Sequence, residues 1–120
     1  MPFDQDIVAR TRSFALRVIR LVESLPSGRA ADIIGRQLLR AATSVGANYR
    51  ATRRAKSRAD FINKLAIVEE DADECGYWLD LLGASGVVKT SRLAPLSQES
   101  HELTAIVVAA IKTAKRNQRG

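Results

Sequence analysis

The chain has 120 residues, 46% hydrophobic and 27% charged, with one His, one Cys and a formal net charge of +6. That length holds one hydrophobic core, the apolar fraction excludes a disordered chain, and no apolar run approaches the ~20 residues of a membrane span. A lone cysteine, Cys75, rules out an internal disulfide framework. Together with an acidic N-terminus that lacks an apolar signal region, it predicts a cytoplasmic protein. The basic balance, with a pI near 10.1, favours polyanionic partners.

Three breaks divide the chain: Pro26-Ser27-Gly28, the basic stretch 50–58, and Gly83-Ala-Ser-Gly86 running on to Pro95. The segments between them have helical rather than alternating periodicity, so the whole of 1–120 is expected to be one all-α domain. A first helix is predicted over 4–25. Asp4 is its N-cap, and Phe3 packs on Val8 as a hydrophobic staple. Ile7, Phe14, Val18, Leu21 and Leu25 make its apolar seam. A second helix is predicted over 29–53 on Ile34, Leu38, Ala41 and Val45. Its later half is rich in small residues, which let a neighbouring helix come close and account for Gly46 in a helix interior. Asn48 extends the seam and is expected to be a hydrogen-bonded, buried amide.

The third helix, over 57–85, has the most regular pattern. Phe61, Leu65, Val68, Ala72, Cys75, Leu79 and Leu82 alternate steps of four and three. Ser57 with Asp60 forms a short-armed capping box, and Gly86 with Val87 suits a Schellman stop. The fourth helix is placed over 93–116, starting between Ser91 and Leu96 because Pro95 is tolerated only in a first turn. Ile106 to Ile111 reads apolar all round the helix, which implies burial on more than one side. A subunit interface involving Ile106, Val108, Ile111 and Trp78 is therefore expected. Short connections make sequential helices antiparallel, giving an up-down-up-down four-helix bundle.

That topology puts the start of the first helix, the 2–3 crossover and the end of the fourth helix at one pole. Arg50, Arg53, Arg54, Lys56 and Arg58 of the crossover then lie near Lys112, Lys115, Arg116 and Arg119, with Arg10, Arg12 and Lys64 assigned to the same end. The acids of that end are only Asp4, Asp6 and Asp60. Such a basic patch is the electrostatic footprint of a polyanion binder, although a charge run also occurs as a merely solvated face. The acids of the third helix, Glu69 to Asp80, are expected to be solvent-facing or paired with a neighbour's basic residues.

Chemistry-bearing motifs are sparse. There is no glycine-rich phosphate loop, paired-Cys motif or HExxH, and His101 has no candidate nucleophile beside it. Cys75 falls in the seam as a small hydrophobe. Glu70, Asp73 and Glu74 have metal-chelating spacing, but the Glu-x-x-His motif of di-iron bundles is missing. No catalytic residue, metal or cofactor is assigned. Trp78 reads as a packing residue rather than a base-stacking platform, since its helix neighbours are not basic.

The stretch Ser44-Val-Gly-Ala-Asn-Tyr-Arg-Ala-Thr-Arg-Arg-Ala-Lys-Ser-Arg-Ala-Asp-Phe61 resembles the signature of the four helix bundle protein family. That family includes proteins encoded in intervening sequences of large-subunit ribosomal RNA genes. Ser44, Val45, Asn48, Ser57, Asp60 and Phe61 match its pattern, and the likeness continues through Leu65, Glu74, Leu79 and Gly86. Many members carry Glu-Gly where this chain has Ala51-Thr52, so no role attached to that Glu transfers. The resemblance implies a homo-oligomer, a homopentameric ring in particular. It also implies kinship to the basic pentameric accessory protein of diversity-generating retroelements, which engages a reverse transcriptase and nucleic acid. The expectation is a non-enzymatic ring that meets RNA, DNA or a nucleic-acid-bound protein through its basic end. A protein–protein scaffold without nucleic-acid binding is the alternative.

Overall fold

A computed structural model describes residues 2–119, and the side chains of residues 5–117. Among the described residues the chain forms four α-helices and no strand: α1 (Pro2–Glu23), α2 (Arg29–Ala51), α3 (Arg58–Ala84) and α4 (Thr90–Arg119). One 3₁₀ turn, Thr52–Arg54, continues α2. The molecule measures 52 × 23 × 20 Å.

Contacts fix the helix directions. In α1 and α2, Val22 and Leu25 crowd Gly35 while Thr11 crowds Gly46, so late residues meet early ones. Asn48 bonds Asp71 and Arg40 bonds Glu74 across α2 and α3. Gly83 faces Thr90 and Leu93, and Gly76 faces Ser100, across α3 and α4. Arg92 Nη2 donates to Ser24 Oγ at 2.6 Å and Arg10 reaches Glu99, which closes α4 onto α1. Each neighbouring pair therefore runs antiparallel around one core. Phe14, Leu38, Leu65, Leu79, Leu82 and Leu103 lie at its centre, each fully or almost fully buried.

The helix ends explain themselves locally, with some departures from expectation. α1 begins at Pro2, so Asp4 lies inside the helix rather than at its N-cap. Proline suits a first turn because its missing N–H has no helical partner there. The staple of Phe3 on Val8 lies outside the described side chains. α1 stops where the Ser24 and Leu25 N–H groups fold back onto the carbonyls of Leu21 and Val22. Ser57 caps α3, its Oγ accepting from the Asp60 N–H at 3.0 Å. The reciprocal arm differs from a regular capping box, because the Asp60 carboxylate takes the Lys56 N–H instead of that of Ser57. α3 ends at Gly86, whose φ of +82° only glycine adopts without strain. The Gly86 N–H bonds the Gly83 carbonyl as a Schellman turn requires, while the Leu82 carbonyl is taken by Val88.

α4 starts at Thr90, earlier than residue 93, and Pro95 sits within it. Pro95 has no N–H to return to the preceding turn, a loss that ordinarily destabilises a helix. Leu93 and Leu96 are both buried, and Leu93 packs close to Gly83, so the first turn is held by packing instead.

Two seam positions that sequence periodicity passes over are polar and fully buried. Thr11 on α1 and Ser100 on α4 are each 1% exposed. Their hydroxyls donate to the Val8 and Ser97 carbonyls in their own helices. Each sits against a glycine of the next helix, Thr11 against Gly46 and Ser100 against Gly76. A short self-satisfied hydroxyl facing a glycine brings two helices together without stranding a polar group.

Candidate nucleic-acid interface

The α2–α3 crossover is short and held by local bonds. Tyr49 is buried, and the Thr52 hydroxyl, also buried, donates to the Tyr49 carbonyl at 2.6 Å. Ala55, extended at φ −62° and ψ 137°, breaks the helix, and Ser57 restarts it. These constraints fix the backbone that carries Arg50, Arg53, Arg54, Lys56 and Arg58, all of them exposed.

The tail of α4 returns to this crossover. Tyr49, Thr52, Arg53 and Arg58 share one groove with Ile106, Ala110, Thr113 and Asn117. It has a volume of about 620 Å³, and Phe61 and Leu65 also line it. Lys112, Lys115 and Arg116, also exposed, lie on this stretch of α4. A second, smaller depression of about 360 Å³ shares Thr52, Arg58 and Phe61 and continues over Lys56 and Ser57. The crossover and the tail therefore occupy the same pole.

Neutralisation at that pole is partial and specific. Arg10, grouped there from sequence, is instead bound to Glu99 through Nε (3.1 Å) and Nη2 (2.5 Å), with Glu102 at 3.3 Å. Those acceptors, led by the Glu99 bond, hold the guanidinium charged well beyond its ordinary range. Lys64 likewise spends its charge on Asp60, at 2.9 and 3.0 Å. The Asp60 carboxyl is held below its ordinary pKa, first by the Lys56 N–H and then by Lys64. Both lysine and arginine therefore leave the available basic set. Among the described residues, no ion pair joins a carboxylate to Arg50, Arg54, Arg58, Lys112, Lys115 or Arg116. Arg119 lies outside the described side chains.

Beyond Asp60, two acids of α3 have side-chain partners, Asp71 and Glu74. Asp71 accepts from Asn48 Nδ2 at 2.9 Å, so that amide is hydrogen-bonded as expected but only half-buried. Glu74 accepts from Arg40 and, at 2.8 Å, from the Trp78 indole N–H. Trp78 is half-buried and meets Tyr77 edge-on, with ring centroids 5.0 Å apart. Glu70, Asp73 and Asp80 face solvent. Cys75 is buried, and that burial pushes its thiol up to about 12. His101 is exposed beside Gly76.

The expected interface residues fall in different surroundings. Ile111 is 9% exposed and belongs to the chain's own core, as does Val107. Ile106 and Val108 are half-buried. Ile106, Val107, Ala110 and Ile111 of this stretch thus pack in or against the chain's own core. The large exposed apolar side chains are Ile33, Tyr77, Ile67, Leu16 and Ile19, the first two more than half exposed. Sequence reading missed the groove, because the small residues on its α4 side, Ala109, Ala110 and Thr113, carry no individual signal. No helix among the described residues is long and apolar enough to cross a membrane.

No curated protein matches the chain. A solved structure from Bacteroides thetaiotaomicron, a protein of unknown function from the S23 ribosomal protein family, is similar at 34% identity and a TM-score of 0.84. The match covers 91% of this chain and 97% of that one. Residues 4–109 match the family described as 23S rRNA-intervening sequence protein. With the match extending from α1 through most of α4, the chain belongs to the 23S rRNA-intervening sequence protein family.

Proposed function

We propose that this chain is a non-enzymatic helical bundle that binds RNA or DNA, or a protein already bound to nucleic acid, through its basic pole. In this reading it works in the cytoplasm as a homo-oligomeric, pentameric ring. One observation carries the proposal: two basic segments far apart in sequence converge around one groove, and most of their cations have no carboxylate partner among the described residues. Like charges this close repel one another, and a bound polyanion relieves that repulsion. Rotational symmetry about an axis near-parallel to the helices repeats the pole on one face of a ring. Arg50, Arg53, Arg54, Lys56 and Arg58 contact phosphates there, with Lys112, Lys115 and Arg116. Contacts of this kind position the chain and specify little sequence. A reverse transcriptase is the kind of nucleic-acid-bound partner that suits the same face.

A salt titration with generic RNA and DNA tests the proposal. Phosphate contacts make log affinity fall linearly with log salt. The expected result is binding at low salt that weakens steeply. Absence of binding at low salt, or binding with no steep loss as salt rises, overturns direct nucleic-acid binding. The scaffold alternative draws on the exposed Ile33 and Tyr77, 58% and 57% accessible. It predicts an assembly or partner complex that is insensitive to nucleic acid.

A further inference from the structure

The groove at the basic pole has a lining that phosphate binding alone does not need. Phosphates require cations and N–H donors, and a flat basic surface supplies them. Here the cations Arg53 and Arg58 stand beside an apolar recess containing Phe61 and, deeper, Tyr49. Its volume of about 620 Å³ lies within the range of built small-ligand sites. Among the described residues no carboxylate lines it, so its charge complements an anion, while its apolar residues complement an apolar face. Thr113 and Asn117, both exposed, add polar groups at its rim.

Resting on the nucleic-acid reading above, we infer that this groove takes unpaired bases of a single strand whose phosphates run along the flanking cations. A base with its attached phosphate is a flat apolar surface joined to a negative charge, which is the combination the groove offers. In a duplex the base faces are stacked inside and have nothing to give the recess, whereas single-strand binders pair a cationic track with aromatic surfaces. The adjoining depression over Lys56 and Ser57 extends the track past Phe61 to the start of α3. An acidic apolar peptide and a second copy of this chain are the other occupants, and the test separates them.

The experiment compares three probes of equal length at one salt concentration: a single-stranded oligonucleotide, its duplex, and an abasic strand with the same phosphates. The inference predicts that the intact single strand binds the unmodified protein about tenfold or more tightly than the abasic strand, about a factor of ten for each base accommodated. Ala109→Leu with Thr113→Leu fills the groove at two exposed positions and leaves every charge in place. That variant is expected to lose the tenfold advantage and keep the abasic affinity. Equal binding of intact and abasic strands by the unmodified protein overturns the inference and leaves the phosphate-binding proposal standing. Failure of every probe at low salt overturns that proposal itself. A changed assembly mass in the filled variant, with the intact-to-abasic ratio unaltered, assigns the groove to a second copy and also overturns the inference. Competition by an acidic peptide against a strand that shows no base dependence does the same.

Discussion

Gly46 sits in the middle of α2, where glycine ordinarily costs a helix about 1 kcal/mol relative to alanine. A Cβ built there lies 3.3 Å from Thr11 Oγ1 and 3.5 Å from Thr11 Cβ. The first distance is shorter than such atoms normally tolerate. Thr11 is 1% exposed and its hydroxyl is tied to the Val8 carbonyl at 3.1 Å, so it has little room to retreat. In Gly46→Ala the gain in propensity and the steric cost should therefore nearly cancel, leaving a net change of about 0.5 kcal/mol or less. Thr11→Ala removes the obstructing oxygen. By itself it should destabilise by about 1 kcal/mol through the lost hydrogen bond and packing. In that background Gly46→Ala should recover the full propensity gain of about 1 kcal/mol. The coupling in the double-mutant cycle is thus predicted at about 0.5–1 kcal/mol, typical of residues in direct contact. Urea denaturation of the four proteins measures it. If Gly46→Ala stabilises equally in both backgrounds, Thr11 is not the reason for glycine at this crossing.

Other expectations follow from the ion pairs and the thiol. Arg10→Ala should cost about 1 kcal/mol, the upper end for a partly exposed pair, because Glu99 is gripped by two nitrogens. Nucleic-acid affinity should be unchanged, since Arg10 is already neutralised. The Asp60 carboxyl, held below its ordinary 3.8, should show a depressed midpoint in a side-chain NMR titration. Because its folded value is the lower one, its stabilising contribution is complete above pH 3.8 and is lost as pH falls toward the folded value. Lys64→Met should bring the midpoint back toward 3.8 in part and leave the Lys56 N–H contribution. Cys75, with its thiol pushed up to about 12 and no exposure, should resist thiol reagents in the native protein and react only on unfolding.

The parts of the fold that announce themselves in sequence are those where apolar periodicity and burial coincide. The seam of α3 from Leu65 to Leu82 is buried at every position named from its spacing. Ser57 and Gly86 mark its ends by capping chemistry that acts within a few residues. Legibility fails where the deciding partner is distant. Arg10 and Glu99 are 89 residues apart, and nothing local to Arg10 indicates its neutralisation. Thr11 and Ser100 read as polar, so apolar periodicity skips them, although facing glycines make them seam residues. Pro95 points to a later start for α4 because local sterics disfavour it, and the packing of Leu93 and Leu96 overrides that. The groove arises only when Phe61 and the small residues of α4 are brought together.

Geometry, rather than net charge, is the central claim, and charge reversals at the two poles separate them. Arg54→Glu with Lys56→Glu alters the crossover, Lys112→Glu with Lys115→Glu alters the tail, and Arg29→Glu with Lys89→Glu alters the opposite pole by the same amount of charge. The measurement is the slope of log affinity against log salt for one oligonucleotide, which falls by about one for each lost phosphate contact. The account predicts a shallower slope and weaker binding for the crossover and tail variants alike, and a near-native slope for the third. Equal losses from all three variants would contradict it.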